Sequence, residues 1–215
     1  MPELEQALDD ARARQAAYLQ QLTDFLRIPS VSTLPAHADD VRRAAEWLAE
    51  NMRAAGLQHV EVMPTERHPV VYGDWLLAGD DAPTVLVYGH YNVQPADPLE
   101  LWESPPFEPV IRDGELYARG ASDDKGQMFL HVKAVESMLR ANGRLPVNVK
   151  MIFEGEEEIG SPNLERFVRE HTDLLAADSA LVSDSRILAE DRPSILYALR
   201  GLTYMEVVVR GPKRD

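Results

Sequence analysis

The chain contains no cysteine, so disulfides and thiolate chemistry are excluded. Positive charge is scarce: 22 Lys and Arg stand against 36 Asp and Glu, a formal net charge of -14. So acidic a surface repels phosphate backbones and disfavours docking on anionic lipid, so neither nucleic acid nor membrane is an expected partner. No apolar run approaches the ~20 residues that span a bilayer. The start, Met1-Pro2-Glu3-Leu4-Glu5, has no apolar stretch of the kind a secretory signal needs. Internal repeats and low-complexity linkers are also missing. These exclusions leave a soluble, acidic, cytoplasmic α/β protein. Its 215 residues suffice for one sizeable domain, and 45% of them are hydrophobic, so a core is available.

Apolar residues at helical spacing (Leu4, Leu8, Ala11, Tyr18, Leu22, Phe25) predict a helix from Glu3 to Leu26, stopped by Pro29. A second helix carries Val41, Ala44, Ala45, Leu48 and Met52 on one face, with Asp39 or Asp40 as its cap and Gly56 at its end. The pattern then turns to strands at His59–Met63 and Val70–Leu77. Thr84–Tyr88 is a continuous β-rich run, as expected of a buried central strand. Asp113-Gly114 marks a hairpin between Val110–Arg112 and Leu116–Ala118. A helix follows Gly126 and ends at Gly143, Val147–Phe153 is a buried strand, Pro162–Leu175 a helix and Ala180–Val182 a short strand. Ser194–Leu199 and Thr203–Arg210 also read as strands, the second with half-solvated alternation. Strands alternating with helices predict an open, mostly parallel sheet with helices on both faces. Ligands of such sheets sit beyond the carboxyl ends of the strands.

Four acidic patches matter for that reason. They are Gly89-His90-Tyr91-Asn92, Ser122-Asp123-Asp124-Lys125-Gly126, Glu154-Gly155-Glu156-Glu157-Glu158 and Ser183-Asp184-Ser185. Three follow predicted strands. His90 is a ligand, a base or simply a hydrogen-bonded residue, and Asn92 two positions on is a candidate partner for its second nitrogen. One of Asp123 and Asp124 is expected to cap the following helix, while flanking Gly120 and Gly126 permit tight backbone around a charge cluster. The glutamate run is either a solvated loop or a rim where adjacent Glu157 and Glu158 divide proton transfer and metal binding. Asp184 alone reads as a turn residue. Together, His90, Asp123, Glu158 and Asp184 form a two-cation ligand set with one ligand too few. His37, His59, His68, His131 and His171 lie in loops, on a strand or on helices, away from these patches.

The ordered motifs Gly89-His90-Tyr91-Asn92-Val93-Gln94-Pro95, Leu101-Trp102, Pro105-Pro106-Phe107, Leu116-Tyr117-Ala118-Arg119-Gly120, Ser122-Asp123-Asp124-Lys125-Gly126 and Glu154 to Ser161 resemble the carnosinase-like metallo-dipeptidases. These belong to the aminoacylase/carboxypeptidase superfamily of di-zinc hydrolases. The resemblance runs from about residue 15 to the C-terminus. It implies a zinc-exopeptidase-like catalytic domain and two ions, zinc or manganese. His90 and Asp184 would bind the first metal, Asp123 would bridge both and precede a cis peptide, Glu158 would bind the second, and Glu157 would be the general base. It implies hydrolysis of dipeptides or short peptides, and homodimers formed through a lid domain.

Two departures stand out. Members of that family usually carry Asp where this chain has Asn92, which keeps an acceptor oxygen but not the charge that raises ligand basicity. They are also longer. The expected division is residues 1–200 as the N-terminal part of a catalytic domain, and 201–215 as the first strand of an incomplete lid. The missing C-terminal half would hold the rest of the lid, a substrate-binding His and the last metal-binding His, so the isolated chain is expected to be inactive. Two alternatives accompany this reading: an N-acyl amino acid amidohydrolase (a deacetylase or desuccinylase), and a non-catalytic remnant acting as a binding module.

Overall fold

The computed structural model describes residues 2–189, 192, 194–196, 198 and 201–211. Two long helices come first, α1 (Pro2–Leu26) and α2 (Ala38–Ala54), followed by strands β1 (Gln58–Met63), β2 (Val70–Trp75) and β3 (Thr84–His90). The hairpin β4 (Val110–Arg112) and β5 (Glu115–Tyr117) precedes α3 (Lys125–Asn142) and β6 (Asn148–Glu154). Helices α4 (Leu164–Glu170) and α5 (Thr172–Leu175) lead to β7 (Ser179–Val182).

Five strands form one sheet in the order β1-β2-β6-β3-β7. β6 pairs parallel with β3, and β3 with β7. β2 is antiparallel to both β6 and β1, so four of the five strands run in one direction. The carboxyl ends of β6, β3 and β7 therefore share a rim, as the sequence predicts for a mostly parallel sheet.

Alternation along the strands builds two apolar layers. Val71, Trp75, Val87, Val149, Met151 and Phe153 face a core completed by Phe25 of α1, Val41 and Leu48 of α2, and Met128 and Val132 of α3. Val70, Tyr72 and Ile152 face the other side, against Phe167 of α4 and Leu175 of α5. Helices thus cover both faces. β6 is buried along its whole length and is the central strand. Thr84–Tyr88, expected in that place, lies one strand in from the edge and is only half covered.

Local chemistry explains the other differences. A 3-10 turn, Pro35–His37, runs directly into α2, and no side chain caps that helix. Asp40 instead takes the His37 ring, Nδ1 at 2.7 Å, and pairs with Arg43. The helix expected over Pro162–Leu175 breaks at His171, whose ring nitrogen bonds the Phe167 carbonyl at 2.8 Å beside the backbone N–H that bonds the same oxygen at 3.1 Å. The hairpin forms at Asp113-Gly114, both at positive φ (52° and 86°), as a two-residue turn requires.

The first compact unit ends at Ser185 and the second begins at Arg186, where the sequence reading sets a boundary at residue 200. Thr203–Arg210 takes no strand structure, contrary to expectation, and its residues are exposed. An alternating sequence becomes a strand only beside a partner ladder, and none pairs with it among the described residues. Residues 194–196 and 198 are likewise irregular, and 197, 199 and 212–215 fall outside the described residues. Among the described residues no helix is long and apolar enough to cross a membrane.

Candidate metal centre

The last rung of the β3/β6 pairing sets His90 opposite Glu154. His90 is fully buried at this rim. Its Nδ1 lies 3.0 Å from the backbone carbonyl oxygen of Asn92, which fixes that nitrogen as the protonated one in the neutral ring. The side chain of Asn92, expected as the partner, points elsewhere: its Nδ2 donates to Ser32 Oγ at 2.8 Å, and its Oδ1 is buried without a partner.

The second imidazole nitrogen is the key atom. Nε2 is buried and has no hydrogen-bond partner among the described residues. Facing it are Asp123 Oδ1 at 3.2 Å, Asp184 Oδ2 at 3.5 Å and Glu157 Oε2 at 3.9 Å. His90, Asp123 and Asp184 each offer an atom within 4.8 Å of the others, and so do His90, Glu157 and Glu158. An orphaned imidazole nitrogen among carboxylate oxygens fits a divalent cation.

Each element delivers its residue for a physical reason. Asp123 sits in a loop closed by the Gly126 N–H donating to the Gly120 carbonyl at 3.2 Å. A side chain at Gly126 would meet the Ala121 carbonyl oxygen at 2.0 Å, so only glycine permits this closure. The Asp123–Asp124 peptide is cis. Asp124 stands at the start of α3 but makes no capping bond. Its Oδ2 accepts the backbone N–H of His90 at 3.1 Å, so the capping role read from the sequence gives way to a tie between helix and strand. Lys125 is fully buried, and its ammonium donates to the carbonyls of Phe25 (3.1 Å) and Ile28 (2.7 Å), tying the end of α1 to the start of α3. Glu157 and Glu158 begin a 3-10 turn, Glu157–Ile159, anchored by buried Glu156, which accepts from His68 N–H and Asn163. Gln94 donates to Glu158 Oε2 at 2.8 Å. Glu154 is buried and accepts the hydroxyls of Tyr88 (2.5 Å) and Ser161 (2.8 Å).

The electrostatics follow from burial within an acidic cluster. Burial pushes the Asp124 carboxyl up to about 7, opposed by the His90 N–H and ring. Burial likewise raises Glu154 and Glu158, and lowers the Lys125 ammonium to about 7. For His90 burial disfavours the imidazolium, yet Asp124, the Asn92 carbonyl, Glu157 and Asp184 outweigh it and hold the ring above its usual value. A cluster that binds a proton this firmly is one in which a cation can replace it.

The structure thus brings His90, Asp123, Glu157, Glu158 and Asp184 to one rim. The sequence reading gave Gln94 no role of its own, read Asp124 as a possible helix cap and Glu154 only as part of the glutamate run. His131 does not lie away from the patches: its Nε2 is 2.7 Å from Ser183 Oγ, next to Asp184. The spacing of Asp124, Met128 and His131 on one face of α3 was the available signal. The remaining histidines bond as structural groups do, His59 to Asp74 and His68 to the Ser32 carbonyl.

A mostly parallel α/β sheet whose carboxyl-end rim gathers one imidazole and several carboxylates defines an α/β domain with a site suited to a divalent cation. The chain belongs to peptidase family M20/M25/M40, whose sequence profile matches residues 86–197. It is 33% identical over 188 residues to the cysteinylglycine-S-conjugate dipeptidase of Corynebacterium striatum, across 85% of this chain and 40% of that protein. Its fold matches human carnosine dipeptidase 1 with a TM-score of 0.76 and 32% identity, over 85% of this chain and 41% of that one. It also matches the M20 family metallo-carboxypeptidase Sso-CP2 of Sulfolobus solfataricus, with a TM-score of 0.70 and 40% identity, over 77% and 36% of the two chains. The chain therefore spans less than half the length of these relatives.

Proposed function

We propose that this chain carries the metal-binding and proton-transfer part of a metal-dependent peptidase for dipeptides or short peptides. The observation that carries the reading is the buried, unpartnered Nε2 of His90 facing the oxygens of Asp123, Asp184 and Glu157. The dipeptidase and carboxypeptidase relatives support the substrate class.

In this reading His90, Asp123 and Asp184 would hold the first of two divalent ions, zinc or manganese, and Asp123 and Glu158 would serve the second. When bound, such ions supply Lewis acidity, which acidifies water and polarises a carbonyl. The Asn92 carbonyl keeps the proton of His90 on Nδ1, so Nε2 presents its lone pair. Gln94 orients Glu158. Glu157, half-exposed beside the cluster, takes a proton from the attacking water on its carboxylate and delivers it to the leaving amine nitrogen. The proposal extends to pairing of two copies, as the family resemblance of the sequence motifs implies.

Among the described residues one histidine, His90, is offered to two ions. Residues 1–215 alone are therefore expected to hold one ion firmly and the second weakly, without turnover. Metal analysis of residues 1–215 tests this, together with assays of Cys-Gly, β-Ala-His and N-acyl amino acids on these residues and on any longer form of the protein. The expected result is metal-dependent dipeptide cleavage in the longer form, falling by about 10²–10⁴-fold in Glu157→Gln with metal content retained. Cleavage of N-acyl amino acids alone would assign an amidohydrolase instead. Failure of residues 1–215 to bind zinc or manganese would overturn the reading.

A further inference from the structure

We propose that His131 is a positioning residue for Asp184: through its bond to Ser183 it fixes the chain from which Asp184 reaches the His90 cluster. The inference rests on the metal-centre reading above and adds to it the device that holds one ligand in place.

Asp184 has the weakest backbone support of the clustered groups. β7 is four residues long, exposed throughout, and paired on one side only, to β3. Its ladder ends with Val182 opposite Tyr88, so Ser183 and Asp184 lie beyond the last rung. Past that rung, the side-chain hydrogen bond to the body of the domain among the described residues is the one between His131 Nε2 and Ser183 Oγ, at 2.7 Å, beside the looser approach of Asp184 Oδ2 to His90 Nε2 at 3.5 Å. His131 is itself well placed to serve as an anchor. It lies on α3, whose first residue follows the Asp123–Asp124 pair. That helix is pressed against β3 at Gly89, where an added Cβ would meet Met128 Cβ at 2.9 Å and Asp124 Oδ2 at 2.6 Å. One rigid helix therefore sets Asp123 at its start and, two turns on, the residue preceding Asp184. Burial lowers the His131 pKa and favours the neutral ring, which can donate to or accept from a hydroxyl.

A histidine that merely stabilised an edge strand would give the same contact. The two roles separate by measurement. Co(II) titrations followed through the visible d–d bands should be run on the protein and on His131→Leu, His131→Gln and Ser183→Ala, with melting of the metal-free forms in parallel. Glutamine keeps an amide that can bond Ser183, and leucine does not. A positioning role predicts that His131→Leu and Ser183→Ala each weaken Co(II) binding about tenfold or more and alter the bands, and that the double variant is no worse than either. It also predicts that His131→Gln restores affinity and spectrum, whatever happens to melting. Identical titrations of His131→Leu and wild type would overturn the proposal and leave the metal centre standing. So would losses in Leu and Gln variants alike that track lost melting temperature. Absence of Co(II) binding by the wild type would overturn the metal-centre reading and this inference with it.

Discussion

Gly126→Ala puts the architecture of the site to a direct test. A Cβ at this position would lie 2.0 Å from the Ala121 carbonyl oxygen and 3.0 Å from its carbon. Carbon–oxygen contacts close at about 3.3 Å, so the backbone must open by more than ~1 Å. The obstacle is main chain and cannot swing away like a side-chain tip. Overpacking costs about 1–3 kcal/mol, and alanine's better helix propensity returns at most about 0.5–1 kcal/mol in this first turn. The expected net loss is about 1–2 kcal/mol in urea denaturation of the metal-free protein. Because Asp123 lies inside the loop that must open, cobalt affinity should fall as well. Leu130→Ala on the same helix, a residue 67% exposed, serves as control and should change stability by no more than about 0.5 kcal/mol. If Gly126→Ala were as stable as wild type and bound cobalt equally well, the tight loop would not be what places Asp123.

Lys125→Met should cost about 1–3 kcal/mol in denaturant melts, because two buried carbonyls lose their donor. Glu154→Gln keeps an acceptor for Tyr88 and Ser161 while removing a carboxyl whose folded pKa is raised. A raised folded pKa means that the wild type loses stability as pH climbs from the ordinary carboxylate range to the folded value. The stability of the glutamine variant relative to wild type should therefore grow over that window in chelator-treated samples, and a pH-independent difference would contradict the assignment. Asn92→Asp puts a carboxylate in place of a buried amide that donates to Ser32 Oγ, so the metal-free protein should lose stability near neutral pH in urea denaturation, and unchanged stability would contradict the burial.

Much of this layout was legible before the structure. Apolar spacing marked α1 and α3 because both helices lie against a core along one stripe. The rim position of His90 was legible because a β-rich run ends there, and the parallel sheet then carries Glu154 and Val182 to the same edge. What stayed hidden depends on partners far apart in sequence. The alternation of Thr203–Arg210 is strand-like, but a strand exists only through its neighbour. The break at His171 falls where a ring nitrogen joins the backbone N–H on the Phe167 carbonyl, which composition does not reveal. Period two placed Asn92 on the same side as His90, yet it is the carbonyl of Asn92 and not its amide that meets the ring. Asp124 looked like a cap because caps are local, and its actual partner is the backbone of a strand 34 residues earlier.

The unequal exposure of the cluster has a consequence for how a cation enters and leaves. His90 is shut off from solvent, whereas the side chains of Asp123, Glu157 and Asp184 are 56%, 38% and 31% exposed. An arriving cation meets the oxygens first, while still hydrated, and must shed water to reach the nitrogen beneath. Capture then belongs to long-range attraction by a chain of charge -14, and its rate should fall as salt shortens the reach of that field. Escape belongs to the buried nitrogen, where bulk ions do not penetrate. Loading rate and residence time are thus assigned to different residues, one tuned by ionic strength and the other indifferent to it.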